Sequence, residues 1–161
     1  MLFRSPYHSK NSFFGQADTA GFPKDSYYVW QSAWTDPKTH PMIHIFPYWD
    51  HNPGQQVDVR VASNAAAVEL FLNGKSLGRQ NLTHAPGSGS RIMADYQVVY
   101  EPGILLAKGY DENGNCIAQE VKSSFGEAAV LKLSAEQTTV ICGSGELIYV
   151  TVTAVDRKSV V

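Results

Sequence analysis

The side chains able to do chemistry are scattered along this chain rather than gathered in one motif. His40 and His44 stand four apart, the spacing that sets two metal ligands on one helical face. Pro41 and the strand-like Met42–Phe46 put them in extended chain, where four residues span roughly 13 Å. They are therefore not expected to share a metal ion. Asp111-Glu112-Asn113-Gly114-Asn115 matches part of a calcium loop, but no bidentate glutamate follows at the required spacing; it reads as a hairpin turn. Cys116 and Cys142 have no Cys or His partner at ligand spacing, which leaves them core or surface thiols. Asn81-Leu82-Thr83 is a formal glycosylation sequon, meaningful only in a eukaryotic secretory setting. Glu69, between Val68 and Leu70 on an alternating stretch, reads as a solvated outer-face carboxylate. The sharpest binding candidates are Tyr48, Trp49 and His51, whose rings in a Pro/Asn-rich loop offer faces on which a sugar can stack. The competing reading packs Trp49 between two domains, out of reach of a sugar. No cofactor is expected.

Composition narrows the partners. Thirteen basic residues against fifteen acidic ones, in 161 residues, leave a formal net charge of -2. That balance gives no electrostatic footprint for nucleic acid or for an anionic membrane. No apolar run approaches the roughly 20 residues that span a bilayer, and Met1-Leu2-Phe3-Arg4 leads into polar residues without a signal-peptide core. At 43% hydrophobic the chain can build a packed core.

Three kinds of element must position these residues. Pro23 suits the first turn of a helix, and Tyr27, Trp30, Gln31 and Trp34 then recur at i, i+3, i+4, i+7, one helical face. Such a helix is too short to stand alone in water and needs a surface to pack against. From Met42 the period becomes two. Val57, Val59 and Val61 alternate with Asp58 and Arg60, and Ala67–Leu72 and Lys75–Gly78 flank Asn73-Gly74, the strongest short-range hairpin signal. With Ile43–Phe46, Ile92–Val99, Ile104–Tyr110 and Cys116–Val121, about seven short strands read as an antiparallel β-sandwich of the immunoglobulin type. Beyond Ser124-Phe125-Gly126, Val130–Leu133, Thr138–Ile141 and Leu147–Val155 read as three further strands, too few to close a second sandwich.

The run NSFFGQADTAGFPKDSYYVWQSAW, Asn11 to Trp34, resembles the closing segment of the catalytic barrel in glycoside hydrolase family 2, the β-galactosidase and β-glucuronidase family. MIHIFPYWDHNPGQQVDVRVASNAAAVELFLNGKSLGR, Met42 to Arg79, is similar to the β-sandwich that follows this barrel in bacterial members. The stretch from Ala129 onward is similar to the start of a further immunoglobulin-like module. The resemblance implies residues 1–38 as the tail of a (β/α)8 barrel with its last helix, 39–124 as an immunoglobulin-like sandwich, and 125–161 as the beginning of another. It implies a parent enzyme that hydrolyses terminal β-glycosides with two glutamates, which in a retaining enzyme stand roughly 5–5.5 Å apart. Both lie on barrel strands upstream of the final helix, the acid/base after an asparagine, and no Asn-Glu dipeptide occurs in this chain. The family's catalytic residues have no counterpart here.

By the same resemblance Arg4, Tyr7 and His8 belong to the loop after the last barrel strand, on the face where barrel active sites open. They are carbohydrate-contact candidates beside Tyr48, Trp49 and His51. The expected chain is thus a non-catalytic portion of a β-galactosidase-like glycosidase, mainly β. Its partner is the barrel, and carbohydrate is a further partner to test. An isolated chain is expected to self-associate. The alternative is a free-standing carbohydrate-binding or spacer module.

Overall fold

In the computed structural model the described residues are 15–18, 21–84, 91–139, 141–143, 145 and 147–156. Tyr7 and His8, with Arg4, lie outside them. The chain divides into two compact units, Met1–Ser123 and Ser124–Val161.

The first unit opens with helix α1 (Asp25–Trp34). It starts two residues after Pro23, which pairs instead with Ala17 in an isolated bridge, so Pro23 precedes the helix rather than sitting in its first turn. Asp25 places a negative charge in the first turn, where the helix dipole favours it. At the other end the Thr35 amide and hydroxyl both donate to the Gln31 carbonyl.

Seven strands follow: β1 (Ile43–Phe46), β2 (Gln56–Ser63), β3 (Ala67–Leu72), β4 (Lys75–Asn81), β5 (Met93–Val99), β6 (Ile104–Tyr110) and β7 (Cys116–Ser123). They form two antiparallel sheets, one ordered β1-β2-β5 and the other β4-β3-β6-β7. Asn73 and Gly74 both take positive φ (49° and 83°), as a two-residue hairpin requires. The Asn73 side chain reaches across to accept the Ile104 amide at 2.9 Å, which registers the β3–β4 hairpin against the start of β6.

Period-two alternation sends Val57, Val59 and Val61 of β2, Val68, Leu70 and Leu72 of β3, Ala94, Tyr96 and Val98 of β5, and Leu105 and Ala107 of β6 into one core cluster shared by both sheets. Tyr96 ties the sheets together: its hydroxyl, carried on β5, meets the carbonyls of Val68 on β3 (3.1 Å) and Gly78 on β4 (3.2 Å). Burial, reinforced by the charge of Glu69, pushes this phenol up to about 12.

The second unit holds an antiparallel pair, β8 (Val130–Ala135) and β9 (Val150–Val155). Thr138 and Thr139 are not in a strand, so the strand expected at Thr138–Ile141 does not form there. Leu131, Leu133 and Val152 of this pair are exposed. Among the described residues no helix is long and apolar enough to cross a membrane.

Candidate functional site at the helix–sheet seam

The helix has two faces with the same spacing, and the sheet takes the less aromatic one. Asp25, Tyr28, Val29 and Ser32 follow i, i+3, i+4, i+7 and include the one buried helix residue, Ser32. Tyr27, Trp30, Gln31 and Trp34 repeat that spacing two residues on, about 200° around the axis. The expected packing face therefore points away from the sheet. Trp34 is 76% exposed, and Tyr27 and Trp30 on the same face are exposed too; the two indoles pack on each other, ring centroids 4.9 Å apart.

At the seam itself sits His44, 7% exposed. Its Nε2 lies 3.2 Å from Asp25 Oδ1 on the helix, and its Nδ1 lies 3.2 Å from Glu120 Oε1 on β7. Tyr28 stacks on the ring at 3.8 Å between centroids and 19° between planes. Glu120 also accepts the Ile45 amide through Oε2 and stands 3.5 Å from Lys122 Nζ. Burial pushes the Glu120 carboxyl up, but the His44 and Ile45 hydrogen bonds, with the charges of His44 and Lys122, outweigh it and hold the group below its ordinary range.

A second anchor secures the end of the helix. The Asn64 side chain accepts the Met42 amide (2.9 Å) and donates to the Thr35 carbonyl, the Thr35 hydroxyl and the His40 carbonyl. Ser63, fully buried, donates to the Met42 carbonyl and accepts the Ala65 amide. Between this anchor and the β6–β7 turn lies a groove of about 670 Å³, lined by Thr35, Lys38, Asn64, His84 and Asn113 among others.

The expected sugar-contact residues separate. Trp49 is 1% exposed, in the core cluster, with its ring edge-on to Tyr100 at 5.0 Å; it has no face open to a sugar. It packs within the first unit's own core. Tyr48 is 63% exposed and stacks on His51 at 5.4 Å and 14°, while the His51 Nε2 meets the Tyr48 carbonyl at 3.1 Å. His40 is exposed and His44 is enclosed by carboxylates. Asp111 turns inward on its own loop, accepting the amides of Asn113 and Asn115 and the Asn115 side-chain amide. That Asn115 pairing, with the backbone bonds, holds Asp111 below the usual carboxylate range. Glu69 takes the Ser76 and Tyr110 hydroxyls on the outer face, and both cysteines are exposed and free. The seam was not legible beforehand: His44 and Glu120 are 76 residues apart, and no spacing rule joins them.

Residues 54–118 match a family described as a domain of unknown function, DUF4982. Among curated proteins the chain is 35% identical over 153 residues to β-galactosidase BoGH2A of Bacteroides ovatus, covering 93% of this chain and 17% of that protein. It is 42% identical over 129 residues to a putative β-glucuronidase of Formosa agariphila, covering 77% of this chain and 12% of that one. The chain thus spans about a sixth or less of the length of these relatives. Among solved structures, a β-glycosidase from Bacteroides vulgatus matches with a TM-score of 0.76 at 32% identity, over 91% of this chain and 18% of that one. A glycosyl hydrolase family 2 member from Bacteroides cellulosilyticus matches with a TM-score of 0.77 at 27% identity, over 90% of this chain and 21% of that one.

Proposed function

We infer the role of this chain from its family: it is a portion of the β-galactosidase and β-glucuronidase proteins of glycoside hydrolase family 2, with a DUF4982 domain over residues 54–118. The proposal is that this portion is the non-catalytic C-terminal part of such an enzyme. Residues 1–38 end its barrel, 39–124 form an immunoglobulin-like sandwich and 125–161 begin another. The strand orders 1-2-5 and 4-3-6-7 support an immunoglobulin-like reading in which the fourth strand joins the third rather than the fifth. The parent reaction is hydrolysis of terminal β-glycosides.

The observation that carries this reading is the two-faced helix. Its inner face is fastened to the sheet by Asp25 and Tyr28 against His44, which Glu120 holds from β7, while Tyr27, Trp30 and Trp34 on the other face are exposed. Aromatic area of that kind is costly to leave in water, and more than four-fifths of the length of the relatives lies outside this chain. The barrel of the parent is the occupant that fits. Two of the described glutamates serve structure: Glu120 holds His44 and Ile45, and Glu69 holds Ser76 and Tyr110.

The test mixes the chain with a polypeptide carrying the rest of its parent. Co-elution that is lost in a Trp30→Glu/Trp34→Glu variant is the expected result, together with no release of chromophore from a β-galactoside by the chain alone. Turnover by the chain alone, or no association, overturns the reading. A carbohydrate-binding role is the second reading, favoured by the exposed Tyr48–His51 stack. It requires an affinity for β-galactosides that falls when Tyr48 becomes alanine, and a flat titration removes it.

A further inference from the structure

We propose that the groove between the end of helix α1 and the β6–β7 turn binds a neutral mono- or disaccharide. Its volume of about 670 Å³ falls within the roughly 300–1,000 Å³ typical of small-molecule sites. Stretches far apart in the sequence build it: the end of α1 with the chain that follows, the β2–β3 connection, and the turn at Asp111 to Asn113. All of them belong to the first unit.

Part of the lining is committed to the fold, which sets the shape of the groove before any ligand arrives. The Thr35 hydroxyl donates to the Gln31 carbonyl at 2.7 Å and accepts the Asn64 side-chain amide at 2.9 Å. His84 Nε2 meets the Ala65 carbonyl at 3.0 Å, and Asp111 is spent on the amides of Asn113 and Asn115. The groups left to a ligand are of mixed kind. Ser32 is 1% exposed, and its hydroxyl donates to the Val29 carbonyl, so its oxygen still has lone pairs to accept with. Lys38 and Glu112 carry opposite charges, and neither forms an ion pair among the described residues. Ala33, Pro37, Ala66 and Ile117 add aliphatic surface between them.

That mixture selects the ligand. An apolar molecule would strip water from Ser32, Lys38 and Glu112 and return no hydrogen bond. An anion meets the carboxylates of Asp111 and Glu112, and a cation meets the Lys38 ammonium. A sugar hydroxyl both donates and accepts, so one ligand can accept from Lys38 and donate to Glu112 and Ser32. Its C–H bonds suit the aliphatic part of the lining. The lining contains no Phe, Tyr or Trp, so recognition rests on hydrogen bonds rather than on ring stacking, unlike the Tyr48–His51 pair. Because Tyr27, Trp30 and Trp34 take no part, the inference does not depend on what covers the outer face of α1.

The test titrates the full chain, labelled with 15N, with lactose and cellobiose, and takes glucuronate and choline as charged comparators. The neutral sugars are expected to give saturable amide shifts at Lys38, Ala66 and Asn113, and the comparators weaker ones. Lys38→Met keeps the bulk of the side chain and is expected to weaken binding about tenfold, the order of one lost hydrogen bond to a charged group. Ala33→Trp, at an exposed helix position, fills the groove and is expected to abolish binding while the amide spectrum of β2 and β5 stays unchanged. A flat titration with both neutral sugars overturns the proposal. So does binding that survives Ala33→Trp or is unchanged in Lys38→Met, binding that is tighter for a charged comparator, or shifts confined to Tyr48 and His51.

Discussion

At Trp49 a surface-binding reading and a packing reading give opposite outcomes. The indole fills the core beside Tyr100, and its Nε1 is the buried side-chain polar atom without a hydrogen-bond partner among the described residues. Trp49→Ala is expected to lower unfolding stability by about 3–5 kcal/mol in urea titrations while leaving any sugar affinity untouched. Trp49→Phe, which removes the unpaired N–H as well as volume, is expected to cost less than the alanine change. Gly103 is a second sharp position. Its φ of 143° and a Cβ placed 1.8 Å from Asn73 Oδ1 leave no room for a side chain. Because that oxygen accepts the Ile104 amide, Gly103→Ala is expected to displace the Asn73 side chain and lower stability by about 1–3 kcal/mol, read as a lower urea midpoint with an unchanged slope. Neither position is legible from composition. Pro47, Asn52 and Pro53 around Trp49 carry the marks of a surface loop, and the Gly103 constraint comes from a residue thirty positions away.

Among elements, the strands were the legible part. Val57/Val59/Val61 and Val68/Leu70/Leu72 each have one buried face, so alternation survives in the sequence, and Asn73-Gly74 marks its turn outright. The helix was legible in existence but not in orientation, because 25/28/29/32 and 27/30/31/34 share one spacing. Aromatic content favours the second set, while the sheet binds the first through a histidine–carboxylate hydrogen bond and a stacked ring that hydropathy does not register. The seam has a definite acid limit. Glu120 titrates lower in the folded chain than the ordinary carboxylate value of 4.5, so it binds fewer protons there than when unfolded. Its contribution is fully present above about pH 4.5 and is lost as the pH falls through the lowered value. Glu120→Gln is expected to flatten the acid side of the stability–pH curve, as measured by urea titrations between pH 3 and 6. At the other anchor, Asn64→Ala strands the Met42 amide and is expected to cost about 1–3 kcal/mol, with faster amide exchange across residues 35–42 as the local signature.

At the scale of the whole molecule, large apolar side chains stand exposed among the described residues of each unit. The outer face of α1 and the exposed side chains Leu131, Leu133, Leu147, Tyr149 and Val152 of the second unit are each available for association. Sedimentation of the 161-residue chain is expected to show species larger than the monomer that increase with concentration. A Trp30→Ser/Trp34→Ser variant shifts the distribution toward monomer if the helix face leads, and leaves it unmoved if the second unit does. The three tryptophans also divide the molecule into two optical compartments. Trp49, sealed in the core, emits as an indole in a dry setting and is screened from iodide, whereas Trp30 and Trp34 emit as hydrated indoles open to quencher. One emission spectrum therefore carries two separable signals from the same native chain: a blue component that disappears only when the core opens, and a red, quenchable component that reports whether anything has settled on the helix.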